Sequence, residues 1–134
     1  MEEKEFEVKH VSYREVWVGE NRLYLGEDNI LHVTIVGDID DEKAIAVREA
    51  NFTFRDMIEG KARVLCDLNR SGKHSSGARK IWQQMSEDEQ AGKIAMYGMH
   101  TVARVISSFV MGVTRKKDMR FFKTKEEALA WLKD

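Results

Sequence analysis

Short runs of alternating or continuous apolar residues open the chain. Tyr13 to Val18 and Arg22 to Leu25 read as strands, and Ile30 to Val36 is a longer, β-branched one. Gly26-Glu27-Asp28-Asn29 between the last two predicts a hairpin. From Asp41 the period becomes helical. Val47, Asn51, Phe54 and Ile58 fall at steps of four, three and four, and Ala44, Ala50 and Met57 widen the stripe. Lys61 to Leu68 is the next strand, apolar enough at Val64-Leu65-Cys66 to be covered on both faces. A second helix is predicted from Ser76 to about Gln90, with Ala78, Ile81, Trp82 and Met85 on one side, and a short strand from Ile94 to Gly98.

The third helix has the most regular apolar pattern. Val102, Val105, Ile106, Phe109, Val110 and Val113 repeat at helical spacing, while Arg104, Ser107 and Ser108 fall elsewhere. The expectation is that Val105, Ile106 and Phe109 pack on the sheet, so that Phe109→Ala costs about 3–5 kcal/mol. Met119 to Phe122 is a last strand, and Thr124-x-x-Glu127 is a capping box that starts a last helix with Ala128, Leu129, Trp131 and Leu132 on its apolar side. This alternation predicts an α/β fold, a mixed, largely parallel central sheet with four helices and an N-terminal hairpin. The organisation expected is one domain over residues 21–134 behind an N-terminal extension, residues 1–20. That extension adds an edge strand, covers one or reaches across a dimer; the pattern does not choose among these.

A 134-residue chain that is 43% hydrophobic holds one core. Its 22 basic and 23 acidic side chains nearly cancel, so bulk charge gives no support to nucleic acid as a partner. Cys66 has no second thiol to pair with and reads as a small buried strand residue suited to a reducing compartment. The N-terminus is acidic where a signal peptide is basic, and no apolar stretch reaches membrane-spanning length; a soluble, cytoplasmic protein is expected.

Candidate chemistry gathers at the junctions between strands and helices. Ser75 stands where the second helix begins, placed to cap its free N–H groups, and a phosphate there would meet the same groups and the positive end of the helix dipole. Asp38 and Asp40 are placed to cap the first helix. With the inner strands parallel, Gly37 to Asp40, Ser71 to Ser76 and Gly98 to His100 all follow strand C-terminal ends and line one rim. His10, His32, His74 and His100 have no ligand spacing, so no metal site is assigned. Gly72, Gly77 and Gly92 form neither a phosphate-binding loop nor a dinucleotide fingerprint, and no cofactor is expected. No nucleophile and base pair by spacing, so no catalytic residue is assigned. Arg115-Lys116-Lys117 complements the dipole at the end of the third helix.

Gly37-Asp38-Ile39-Asp40 after a strand and Ser75-Ser76-Gly77 before a helix resemble landmarks of the STAS domain (sulfate transporter and anti-sigma-factor antagonist). In that family the first strand ends in a Gly-x-Leu/Ile-Asp turn and a phosphorylatable Ser lies in Asp-Ser-Ser/Thr-Gly. The resemblance runs from about Arg22 to the C-terminus, and this chain has His74 where the family has Asp. It implies a non-enzymatic signalling module with Ser75, or else Ser76, as phosphoacceptor. The implied partner surface is Gly37, Asp38, Asp40, His74, Ser75, Ser76 and Gly77, and the implied partner an anti-sigma factor with kinase activity or a related protein. A homodimer is compatible with this module. The ending Arg120 to Leu132 resembles STAS relatives grouped with lipid-binding SEC14 proteins. That implies the alternative, a carrier or sensor of a small lipophilic or anionic ligand, with Arg70, Lys73 and His100 on its rim.

Overall fold

The computed structural model describes residues 6–113 and 118–134, so the basic run Arg115-Lys116-Lys117 lies outside the described residues. Among the described residues seven strands form one sheet in chain order: β1 (Val8–Ser12), β2 (Glu15–Val18), β3 (Asn21–Leu25), β4 (Ile30–Ile39), β5 (Ala62–His74), β6 (Ala91–Tyr97) and β7 (Met119–Phe122). β1 to β4 make an antiparallel meander, and β4 to β7 are parallel. The helices are α1 (Asp41–Arg55), α2 (Ser76–Ser86), α3 (Thr101–Val113) and α4 (Lys125–Lys133). This is the α/β fold the pattern predicts. The N-terminal segment supplies two strands on the antiparallel side of the sheet, continuous with the rest.

Because the parallel strands are laid down in one direction, right-handed crossovers put α1, α2 and α3 on the same face. Their apolar sides meet Val33, Ile35, Val64 and Met96 in the larger core. The second face of β5 and β6 is left for α4, whose Ala128 and Leu132 close on Ile30, Leu65, Ala95 and Tyr97. On that face the β2–β4 side carries polar and aromatic groups instead: Tyr24 stacks on His32 at 4.6 Å, and the Arg22 guanidinium lies 4.2 Å from the Tyr24 ring centre.

β4 and β5 are longer than the sequence predicts. β4 continues through Gly37 to Ile39 and β5 through Ser71 to His74, because the two keep pairing in parallel past irregularities at Thr34/Val36 and Gly37/Ile39. Gly37 holds a left-handed backbone at φ 70° in this stretch, which a side chain would strain. Asn21 is buried and stabilises the first irregularity. Its Oδ1 accepts from Val36 N at 2.7 Å and its Nδ2 donates to Val18 O at 2.9 Å. Helix α2 ends earlier than expected, at Ser86.

The inner face of α3 differs from the expected one. Ile106 is buried at 6% exposure, but Val105 is 58% and Phe109 41% exposed. The residues turned inward are Ala103, Ile106, Ser107 and Val110, spaced as one helical stripe. Small Ala103 and Ser107 let the helix backbone approach β5 and β7, and Ser107 satisfies its hydroxyl by donating to Arg104 O at 3.0 Å. Phe109 instead lies under the guanidinium of Arg79, 4.4 Å from its ring centre. Ile106→Ala is therefore expected to cost about 2–5 kcal/mol, and Phe109→Ala only about 1 kcal/mol. Urea unfolding of the two variants checks the order; a Phe109 loss equal to that of Ile106 would contradict this packing.

Candidate functional site

The rim expected at the strand ends is built by the long β4–β5 pair. Gly37 lies opposite Ser71 and Ile39 opposite His74, so the two strands finish side by side and α1 and α2 start side by side. Asp40 caps α1 by accepting from Lys43 N at 2.8 Å, and Ser75 caps α2 by accepting from Ala78 N at 3.0 Å. Asp38 reaches across to accept from Lys73 N at 2.8 Å, and Ser75 N donates to Ile39 O at 2.9 Å. The contact that joins the two helix starts comes from a residue the sequence analysis did not single out. Asp41, in the first turn of α1, accepts from the Ser75 hydroxyl at 2.5 Å.

Two glycines permit this closeness. A Cβ at Gly77 would collide with the Asp41 carboxylate, and one at Gly72 would collide with Asp38 and with the Gly37–Asp38 backbone. Their role here is room, at the contacts that align α1 and α2. Ser76, Asp38, Asp40, Arg70 and Lys73 are exposed, and Ser75 is partly so.

His74 is placed differently from its neighbours. It is buried, with Trp82 Nε1 donating to its Nδ1 at 2.9 Å and its Nε2 lying 2.7 Å from Ser71 Oγ. An indole N–H only donates, so Nδ1 must accept and the ring proton sits on Nε2, which donates to Ser71. The Ser71–His74 pair thus has the spacing of a nucleophile and base with the wrong proton arrangement, since Nε2 has no free lone pair to take the serine proton. Burial, with Arg79 nearby, lowers the His74 pKa to about 4. His74 anchors the end of β5 to α2 from inside.

His100 belongs to a second hollow, of about 450 Å³, at the ends of β6 and β7, together with Gly98, Met99, Thr101, Arg104, Phe121 and Lys123. Arg70 and Lys73 do not line it. The rim is therefore divided between a β4–β5 junction carrying Ser75 and a β6–β7 hollow carrying His100, linked by Asn69 Oδ1, which accepts from Met99 N at 3.1 Å. Among the described residues no three His, Cys, Asp or Glu side chains converge as metal ligands, and no helix is long and apolar enough to cross a membrane. Cys66 lies within β5, and burial pushes its thiol up to about 12, far from a reactive thiolate.

Behind the rim, a partly open cavity of about 100 Å³ separates the sheet from α1, α2 and α3. Its walls are largely aliphatic, but Asn51 and Arg55 also line it. Both lie on the α1 stripe begun by Val47, at steps of four, so the helical period itself places Arg55 inward.

A mixed sheet, three helices on one face and two helix starts aligned by the β4–β5 pair define an STAS-type α/β domain. The match to the SpoIIAA-like family covers residues 30–133, and the chain belongs to that family. The fold is shared with a protein of the DUF3478 family with a SpoIIAA-like fold from Shewanella loihica PV-4, at 15% identity, TM-score 0.64 and 98% coverage of both chains. It is shared also with the anti-sigma factor antagonist SpoIIAA in its unphosphorylated form, at 14% identity and TM-score 0.54, covering 96% of this chain and 97% of that one. No curated protein matches the sequence.

The His74 environment makes stability depend on pH. The unfolded chain takes up a proton near pH 6.5, the folded one only near pH 4, so stability is full above 6.5 and falls as the pH drops between these values. The loss from this group approaches about 3 kcal/mol by pH 4. In urea unfolding at several pH values, His74→Gln is expected to show a shallower acid loss than wild type; parallel profiles would contradict it.

Proposed function

We propose that the chain is a regulatory module acting by binding rather than catalysis, whose β4–β5 rim docks a protein partner, and that phosphorylation of Ser75 switches the contact. The observation that supports this is the Ser75–Asp41 hydrogen bond at 2.5 Å, which latches the start of α2 to the start of α1. A phosphate at Ser75 removes the donor and sets roughly 1.5 to 2 negative charges against the Asp41 carboxylate. The latch opens, while the N–H groups of the first turn of α2 and the exposed Lys73 and Lys80 attract the phosphate. Asp38, Asp40 and Gly77 flank the same point, so one modification changes both the shape and the charge of the rim.

Ser76, exposed beside it, is the alternative phosphoacceptor to Ser75. The partner class proposed is an anti-sigma factor with kinase activity or a related signalling protein, a reading supported by membership of the SpoIIAA-like family. Gly37 and the buried His74 act through the backbone they hold, and Asp38, Asp40, Ser75 and Ser76 present the side chains that a partner meets.

As an isolated cap, Asp would replace Ser75 at no cost. Beside Asp41 it is expected to destabilise the fold by about 1 kcal/mol, and Asp41→Asn in the same chain to restore it. Ser75→Ala removes both the cap and the hydrogen bond to Asp41 and is expected to lose about 1–2 kcal/mol. Capture of partners from the native host with wild-type, Ser75→Ala and Ser75→Asp chains, alongside phosphosite mass spectrometry, tests the function. Loss or change of a partner with the Asp variant alone is expected. Identical partners for all three chains, with no phosphate on Ser75 or Ser76, would sink the switch.

A further inference from the structure

The hollow at the ends of β6 and β7 carries charge of one sign. His100 just before α3, Arg104 in the first turn of that helix and Lys123 just after β7 line it, and no described acidic side chain does. Arg104 and Lys123 are exposed, and neither side chain forms an ion pair or hydrogen bond with a described residue. Two cations beside one space, without a counter-charge, raise the potential in it and attract an anion. The backbone adds to this. Gly98 lets α3 begin directly over the strand ends, because a Cβ there would stand 2.6 Å from the Ala103 Cβ. No described side chain accepts from the first-turn N–H groups of α3, whereas Asp40, Ser75 and Thr124 do so for the other helices.

We propose that this hollow binds a small organic phosphate monoester, its phosphate held by Arg104, Lys123 and the start of α3, and its organic body lying against Phe121 and Met99. The volume of about 450 Å³ lies in the ordinary range of small-molecule sites, roughly 300 to 1,000 Å³, and its place outside the carboxyl ends of parallel strands is where open α/β sheets take ligands. A phosphate monoester has three acceptor oxygens and roughly 1.5 to 2 negative charges near neutral pH. Arg104 and Lys123 come from different elements, so each can meet its own oxygen, and the N–H groups of α3 can meet the third. A carboxylate, with one charge and two oxygens, would leave one of these donors unmatched. Inorganic phosphate would leave Phe121 and the 78% exposed Met99 unused. The site shares no side chain with the β4–β5 rim, so its failure would leave the docking surface untouched.

The test is titration of the wild-type chain with phenyl phosphate, inorganic phosphate and benzyl alcohol, followed by calorimetry and by amide shifts in nuclear magnetic resonance. Saturable binding of phenyl phosphate is expected, with shifts centred on Gly98, Thr101, Arg104 and Phe121. Inorganic phosphate is expected to bind more weakly, and benzyl alcohol more weakly by roughly tenfold or more. Arg104→Gln and Lys123→Gln should each weaken phenyl phosphate binding by roughly tenfold. Lys61→Gln removes the same charge just before β5, at the opposite end of the parallel strands, and should leave binding unchanged. Should a hollow variant not fold, the contrast between ester and alcohol and the position of the shifts on the wild-type chain decide alone. Phosphatidylcholine vesicles with and without phosphatidic acid separate a lipid headgroup from a free ester. Absence of saturable phenyl phosphate binding, equal affinity for ester and alcohol, an equal loss with Lys61→Gln, shifts centred on the start of α2, or retention only on vesicles carrying phosphatidic acid would overturn the proposal.

Discussion

The parallel pairing of β4 with β5, sustained from Ile30 opposite Arg63 to Ile39 opposite His74, is the constraint from which the rest of the architecture follows. A parallel ladder fixes where both strands stop, and each stop is where a helix begins. Had either strand ended where its apolar run ends, α1 and α2 would start at different heights and Ser75 would not reach Asp41. The ladder survives two irregularities because each has a specific remedy: the Asn21 amide takes the Val36 N–H, and Gly37 absorbs the left-handed turn of the backbone.

Buried polar groups fall into two kinds. Asn21, His74 and Ser107 each find partners within the fold, and each holds an element in place: a strand irregularity, the end of β5 against α2, the close approach of α3. Asn51 Oδ1 and Arg55 Nε do not, although Arg55 Nη1 donates to Met85 O and both residues are as deeply buried. An unsatisfied donor in an apolar interior costs about as much as a lost hydrogen bond and the desolvation that goes with it. Helix α1 therefore carries a destabilising pair in the middle of its apolar stripe, the position where packing alone would select another hydrocarbon.

The rim and the cavity share one scaffold, joined by α2. Ser75 caps its first turn, and Trp82 and Met85 from the same helix line the cavity. His74 stands between them, bonded to Trp82 and one residue from Ser75, so the start of α2 is tied to the lining of the cavity through a single side chain.

Strand and helix order from β2 onward, the antiparallel start, the inward stripe of α1 and the caps at Asp40, Ser75 and Thr124 are legible in the sequence, because each rests on local periodicity or on a residue's own hydrogen-bonding preference; β1 is not. The extent of β4 and β5 is not, since Gly37, Asp38 and Gly72 have poor intrinsic strand preference and remain extended only through pairing with each other's strand. Helix α3 is apolar on more than one side, so periodicity alone could not say which side meets the sheet; the small residues Ala103 and Ser107 settled that through backbone distance. The same holds for the site. Ser75 could be found as a cap from its neighbours in sequence, but its partner Asp41 lies 34 residues away, and the enclosure of Arg55 exists only after three helices close over the sheet. Sequence determined which residues could cap, alternate and pack; contacts between distant segments decided which of them meet.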